Sequence, residues 1–559
     1  MRSNRIAFLI LCCSIFWWGS VGDSLRGQEN GSTFDPPVTE TVIATDQPAA
    51  PVANSSVGKA KNVILMIGDG MGPQQLELLF AYTNYSKQSQ QASAIEELAD
   101  CGEVGIVRTE PHGAIVVDSA AAATQLATGA WAGSEMVGVD FRGNSVPTVL
   151  EIARDKGKST GLVSDTRMTH ATPAGFAAHQ KHRFMENEIA VDMLASRCDV
   201  LLSGGLRHWV PQAVNDRDSA TYLAMVQMIG GAFDPVSKRE DNRNLLLEAR
   251  GDYQLVFDRT ALGRVESSRV LGLFANSEMI DAIGEQNAVA AGVRTEPTLV
   301  EMSEKALELL AKNPAGFFLM IEGGQIDWAG HNNDAGDMLQ ELIQFDESVR
   351  LVSEWASKRD DTLVLVTADH ETGGFGFSYS GRELPKARPL QGAVFRGEKF
   401  QPVFNYAPHR VLNRLTRQRK SFYQIFTEFD ALPVKEQTAE KLQVLVNEAV
   451  KPLRISLKDA TDLLTRVPNR NYRKGHPYLG TKTVPQIPDQ EEFYVYGENL
   501  RMNRLGHILG AQQHVVWATG THTSTPVAVI SAGPGSSRFS GMMHATDLGK
   551  RMIEIVEGK

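Results

Sequence analysis

Phe317–Asn332, FFLMIEGGQIDWAGHN, and Thr362–Phe375, TLVLVTADHETGGF, decide the fold. Each opens with an apolar run that suits a strand buried on both faces, and each run stops abruptly at acids, histidines and glycines. Open α/β sheets place ligand chemistry at the carboxyl ends of their strands, so two such endings predict a parallel sheet with a site along one rim. Working outward, Asn62–Ile67, NVILMI, ends in the turn GDGMGP, followed by a helical stretch over 74–82 with Pro73 near its start. Further short apolar runs lie at 159–163, 200–202 and 527–530, with helices expected over 148–153, 187–194, 298–311, 336–355 and 547–556. This alternation predicts an α/β fold, a doubly wound, largely parallel central sheet with helices on both faces.

The 559 residues, 42% hydrophobic and 22% charged, are enough to bury a large core. Residues 1–22 have Arg2 and Arg5, an apolar run from Ile6 to Trp18 and then small residues, the pattern of a signal peptide. That run is shorter than the ~20 residues a spanning helix needs. An exported protein, periplasmic or extracellular and without a stable transmembrane span, is expected. Lipid anchoring through Cys12 or Cys13 is disfavoured, because Leu11 stands where a lipoprotein signal prefers a small residue. Residues 23–58 read as a flexible leader rich in Ser, Thr, Pro, Ala and Gly. The folded body is expected over 59–559, with 376–510 as an insertion holding seven of the eleven tyrosines, at 379, 406, 423, 472, 478, 494 and 496, and helices near 439–449 and 456–464. Cleavage after Gly22 removes two arginines and no acids, taking the formal charge from -10 to -12. That charge, with no long basic stripe, excludes nucleic acid as the main partner. Cys101 and Cys198 would then remain, either as a disulfide or as two thiols.

Asp327 and His331 are four apart, so a helix after Gln325 puts both on one face, where they could chelate one ion or simply brace a loop. His522, in WATGTHTSTPVAV, is a candidate third ligand; an Asp/His/His set leaves a zinc ion an open coordination position. Asp369 and His370 are adjacent, and side chains so placed on a strand point to opposite faces. They reach one ion only if the strand has ended, a turn that Gly373 and Gly374 permit. Asp69, in the glycine-rich loop IGDGMG, could complete that second site, bridge to a third or serve only a turn. Ser119 opens the Ala-rich stretch of VVDSAAAATQLATG, where a serine is a favoured helix cap. The same place offers amide donors and the positive end of the helix dipole, which suit a nucleophile that accepts a phosphoryl group.

Together these segments resemble the alkaline phosphatase family over roughly 61–557. DSAAAAT around Ser119 is similar to that family's nucleophile segment, and EGGQIDWAGH and TADHETGG to its metal segments. The resemblance implies a phosphomonoesterase acting through a phosphoserine, with two Zn2+ and one Mg2+ and with phosphate monoesters as substrates; homodimers are common in the family. By motif, Asp327, His331 and His522 would hold one zinc; Asp69, Asp369 and His370 would hold the other, beside Ser119. Asp69 and Glu322, with Thr172 from HATPAGFAAH, would hold magnesium, and Arg183 would clamp phosphate. Two positions depart from some members: His170 replaces an aspartate that supports the magnesium site, and Trp328 replaces a basic or histidine residue that helps hold phosphate. Three divalent ions bring about +6 against about -4 from Asp69, Glu322, Asp327 and Asp369, so an acidic protein can attract a dianion locally.

Overall fold

All seven residues of strand β1 (Asn62–Gly68) are buried, as an apolar run without a polar face requires. The computed structural model describes residues 59–89 and 91–559, so the signal peptide and leader expected over 1–58 lie outside the described residues. Along the chain, β2 (Glu103–Arg108), β3 (Ser159–Arg167), β4 (Val200–Gly204), β5 (Gln254–Val256), β6 (Val270–Leu273), β7 (Phe317–Gly323), β8 (Thr362–Thr367), β9 (Val527–Ala532) and β10 (Gly541–His544) join β1 in one sheet. The ten strands lie in the order β10-β2-β9-β8-β1-β7-β3-β4-β6-β5. From β8 to β5 all neighbours are parallel. β9 alone runs the other way, antiparallel to both β2 and β8.

Helices cover both faces. α1 (Pro73–Tyr85), α2 (Ser119–Thr128), α3 (Ala171–Ala177), α4 (Leu299–Leu310), α5 (Gln325–His331) and α6 (Ala335–Ala356) follow the central strands or connect them. α7 (Phe422–Asp430), α8 (Ala439–Ala449), α9 (Leu457–Leu464) and α10 (Leu500–Gln513) come later, and α11 (Ala545–Val556) closes the chain. One layer packs α2 against α3 and α11; the other packs α1 and α4 against α6, and both layers reach β1 and β7. α4 starts where the sequence signals it, because Thr298 and Glu301 form a reciprocal capping box.

The register of the central strands sets the site. Ile67 of β1 lies beside Glu322 of β7 and Thr367 of β8, and Ser164 of β3 beside Glu322. Loops after β1, β7 and β8 therefore emerge side by side. Between Gly376 and Gly510, α7 to α10 build a second hydrophobic core around Phe422, Phe426, Leu442, Val446, Leu463 and Leu505. α10 runs through Gly510, the expected end of the insertion, to Gln513. No disulfide joins Cys101 to Cys198, and burial pushes the Cys198 thiol up to about 12. Among the described residues no helix is long and apolar enough to cross a membrane.

Candidate active site and metal centre

The chain leaves β1 through Asp69 and Gly70. Gly70 has φ +71°, and a Cβ there would fall 2.8 Å from both the Asp327 Cα and the Thr372 Oγ1, so only glycine lets the three loops meet. Its N–H donates to Asp369 Oδ1 at 3.1 Å. α5 begins two residues after β7 and places Asp327 and His331 one turn apart on one face, with 3.2 Å between Oδ2 and Nε2. His522 pairs with Thr372 in a short antiparallel ladder, which brings its Nε2 to 3.1 Å from His331 Nε2 and 3.6 Å from Asp327 Oδ1. β8 ends at Thr367, so Asp369 and His370 are free of strand alternation. His370 Nε2 lies 3.2 Å from Asp369 Oδ2 and 3.4 Å from Asp69 Oδ1. Ser119 Oγ is 3.2 Å from the same Nε2.

Three sets of ligand atoms thus converge, each within 4.8 Å: Asp327, His331 and His522; Asp69, Asp369 and His370; and Asp69, His170 and Glu322. Thr172 joins the third set by donating to Asp69 Oδ2 at 3.3 Å, and the Ser164 and Thr166 hydroxyls hold Glu322 Oε2. The histidines are oriented from behind. His331 Nδ1 donates to Gly520 O and His522 Nδ1 to Val117 O, both at 2.8 Å, so each ring turns its Nε2 into the site.

Without cations this geometry would be costly. Burial, then the neighbouring Asp369, pushes the Asp69 carboxyl well up, and burial with Asp327 pushes Asp369 up to about 8. Burial also raises Glu322 and lowers His522, the latter to about 4. Asp69 Oδ1, Asp369 Oδ2 and Glu322 Oε1 are buried acceptors with no hydrogen-bond donor. Buried oxygens without donors, facing neutral imidazoles, are the donor set that divalent cations fit.

Ser119 is the first residue of α2, and Asp118 rather than Ser119 is the helix cap. Its Oδ1 accepts from Ala120 and Ala121, so the terminal amides expected to face an anion are already taken. Asp118 also lies 3.6 Å from Arg183 Nη1, while Arg183 Nη2 donates to His170 Nε2 at 3.1 Å. That bond leaves Nδ1 as the unpartnered nitrogen of His170. Burial, with Arg167 and Arg183 nearby, holds His170 neutral. Ser119, Arg183, His170, Asp327, His331 and His522 line one cavity of about 950 Å3. The geometry therefore brings all eleven residues singled out in the sequence to one rim. Sequence reading missed Asp118, although an aspartate directly before an Ala-rich helix is itself a capping signal. It also missed Thr372, whose hydroxyl donates to Asp327, and Ser164 and Thr166 behind Glu322. Those lie inside or beside strands and carry no local signal.

The alkaline phosphatase family model matches residues 60–557. Alkaline phosphatase 3 of Bacillus subtilis is 30% identical over 508 residues, covering 89% of each chain. Alkaline phosphatase of Escherichia coli is 31% identical over 370 residues, 59% of this chain and 74% of that one. Among solved structures, a cold-active alkaline phosphatase from Shewanella sp. aligns with TM-score 0.62 at 26% identity, over 89% of this chain and 99% of its own. A mutant of the TAB5 alkaline phosphatase with Mg bound in its M3 site aligns with TM-score 0.55 at 21% identity, over 89% and 98%.

Proposed function

Because the chain belongs to the alkaline phosphatase family and is a metal-dependent phosphomonoester hydrolase, we propose that Ser119 is its nucleophile and that a phosphoserine forms during turnover. Asp327, His331 and His522 hold one zinc ion, and Asp69, Asp369 and His370 hold a second. Asp69, Glu322 and Thr172 hold a magnesium ion, with His170 completing that side. When bound, the ions lower the pKa of hydroxyl and water and neutralise charge on phosphate oxygens.

Ser119 Oγ attacks phosphorus from the first turn of α2, which Asp118 caps. The bond to the leaving oxygen opens on the opposite side, as in-line displacement requires. Arg183 grips two non-bridging oxygens in its planar fork, and Asp118 fixes its aim. Water then displaces Ser119 from the phosphoserine and gives inorganic phosphate. The observation that carries this reading is the pair of buried, donor-less carboxylate oxygens of Asp69 and Asp369 around His370 Nε2, the same nitrogen that meets the Ser119 hydroxyl. Residues 376–510 act as an inserted cap over that cavity. The chain is exported with residues 1–22 as a removable signal, and it works as a homodimer. N-terminal sequencing of the exported protein and sedimentation equilibrium test these two points.

The deciding experiment is 4-nitrophenyl phosphate hydrolysis against pH, before and after chelation, with zinc and magnesium returned separately. Activity that is lost to chelator and restored by zinc is expected, with magnesium adding to it. Ser119→Ala is expected to lower turnover roughly 10³-fold or more with metal content unchanged. Unchanged turnover in that variant would refute the covalent route.

A further inference from the structure

A cavity of about 950 Å3 suits a whole organic molecule better than a phosphate group alone. Its outer wall is aromatic: Phe184, next in sequence to Arg183, lines it together with Tyr478 and Tyr496 from the 376–510 segment. Tyr496 meets His331 edge-on, with ring centres 4.8 Å apart and planes at 77°. Tyr478 stands 5.0 Å from Tyr496 at 90°, and Phe184 lies 6.0 Å from Tyr478 at 63°. The three rings form a chain from partly buried His331 out to exposed Phe184.

Packing does not account for them. Phe184 and Tyr478 are 47% and 40% exposed, and neither belongs to a hydrophobic cluster among the described residues. Tyr494, two residues from Tyr496, is the contrast. It is buried with Ile487 and Leu500, and its hydroxyl bonds His507 at 2.9 Å. One tyrosine packs the inserted segment while two others leave ring surface facing the cavity, and such surface gains when a flat apolar ligand covers it.

The direction of the reaction selects the ligand. Ser119 sits beside His370, so in-line attack sends the leaving oxygen to the opposite side, toward Asp327, His331 and His522. That is where Tyr496 and Tyr478 stand. We propose that Phe184, Tyr478 and Tyr496 form a leaving-group subsite that selects phosphate monoesters carrying a planar aromatic or heteroaromatic ring, namely aryl phosphates and nucleoside monophosphates. The subsite rests on the reading that phosphate lies between Ser119 and Arg183.

The test compares kcat/KM for 4-nitrophenyl phosphate, adenosine 5′-monophosphate and glycerol 2-phosphate in wild type, Tyr478→Ala, Phe184→Ala and Tyr478→Phe. Each alanine variant is expected to lose roughly fivefold or more on ring-bearing substrates, through KM, as loss of one stacking partner does. Glycerol 2-phosphate turnover and inhibition by inorganic phosphate stay within about twofold of wild type, as substrates and inhibitors without a ring should, and Tyr478→Phe restores the ring-bearing reactions. A loss confined to one of the two ring-bearing esters also supports the subsite and identifies the ring distance it serves. Equal losses on all three esters, or no loss on any, overturn it. If wild type hydrolyses none of the three, the phosphatase reading itself fails. If wild type hydrolyses glycerol 2-phosphate and the variants show no selectivity, only the subsite fails.

Discussion

Asp118 has two partners beside Ser119, the proposed nucleophile. It caps α2 through Ala120 and Ala121, and it accepts the charge of Arg183 across 3.6 Å. Asp118→Asn keeps an oxygen for the cap and gives up the charge that aims the guanidinium. KM for monoesters and the inhibition constant for inorganic phosphate are both expected to rise roughly 2- to 10-fold, the value of one hydrogen-bonded contact, with little change in melting temperature. Steady-state kinetics and a thermal melt check both parts. Gly70 is constrained more severely. Its positive φ and the 2.8 Å approach to Asp327 and Thr372 leave no room for a methyl group. Gly70→Ala is therefore expected to lose bound metal and activity together, read by elemental analysis beside turnover. A variant with full metal and full activity would show that the loops can move apart.

Glu186 ties the end of β3 to the helix Glu186–Ala195. Arg167 reaches it at 3.0 Å, Thr169 at 2.7 Å and His208 at 3.2 Å. Burial alone would raise its carboxyl, but Arg167, the Thr169 hydroxyl and, in acid where it is protonated, His208 outweigh that and hold it down to about 2. Because the folded value lies below the unfolded one, the stabilisation is complete above about pH 4.5 and is lost as pH falls toward 2. Glu186→Gln is expected to cost roughly 1 to 3 kcal/mol at neutral pH, the worth of a hydrogen-bonded ion pair with Arg167, and the gap to wild type should close in acid unfolding curves below pH 4. A gap that persists at low pH would assign the loss to packing.

The elements differ in how plainly the sequence announces them. β1, β7 and β8 are legible because wholly buried strands need continuous apolar runs and their polar stops mark the rim. β2, β5, β6 and β10 are not: β2 is partly exposed, and the others are only three or four residues long. The reversed direction of β9 is invisible as well, since a buried run reads the same for either orientation. Asp69, Asp327, His331, Asp369 and His370 stand out because acids and histidines just past buried strands have few structural uses, whereas His170, Thr172 and Arg183 come into view only through the family resemblance. Asp118 and Thr372 escape because a cap and a strand hydroxyl are ordinary features until the fold shows what they touch.

At the scale of the whole molecule, the centre gathers acidic groups of one sign. Asp69, Glu322, Asp327 and Asp369 are all buried, and burial raises three of them. Removing the cations leaves that repulsion uncompensated, so chelation is expected to lower the melting temperature by roughly 10 °C, from several kcal/mol of binding energy spread over a chain this long. Calorimetry with and without chelator measures it, and an unchanged transition would mean that the ligands are held by the scaffold alone. The core of α7 to α10 is distinct from the one around the sheet, so the two parts can melt at different temperatures.

The ligand sets draw on nearly the whole length of the folded body, from Asp69 behind β1 to His522 just before β9. A polypeptide stalled on the ribosome, or clipped by a protease ahead of residue 522, has its serine and its arginine but never the complete first cluster. If that cluster holds a catalytic cation as proposed, a product truncated before residue 522 is expected to be inactive, which a turnover assay on that fragment checks.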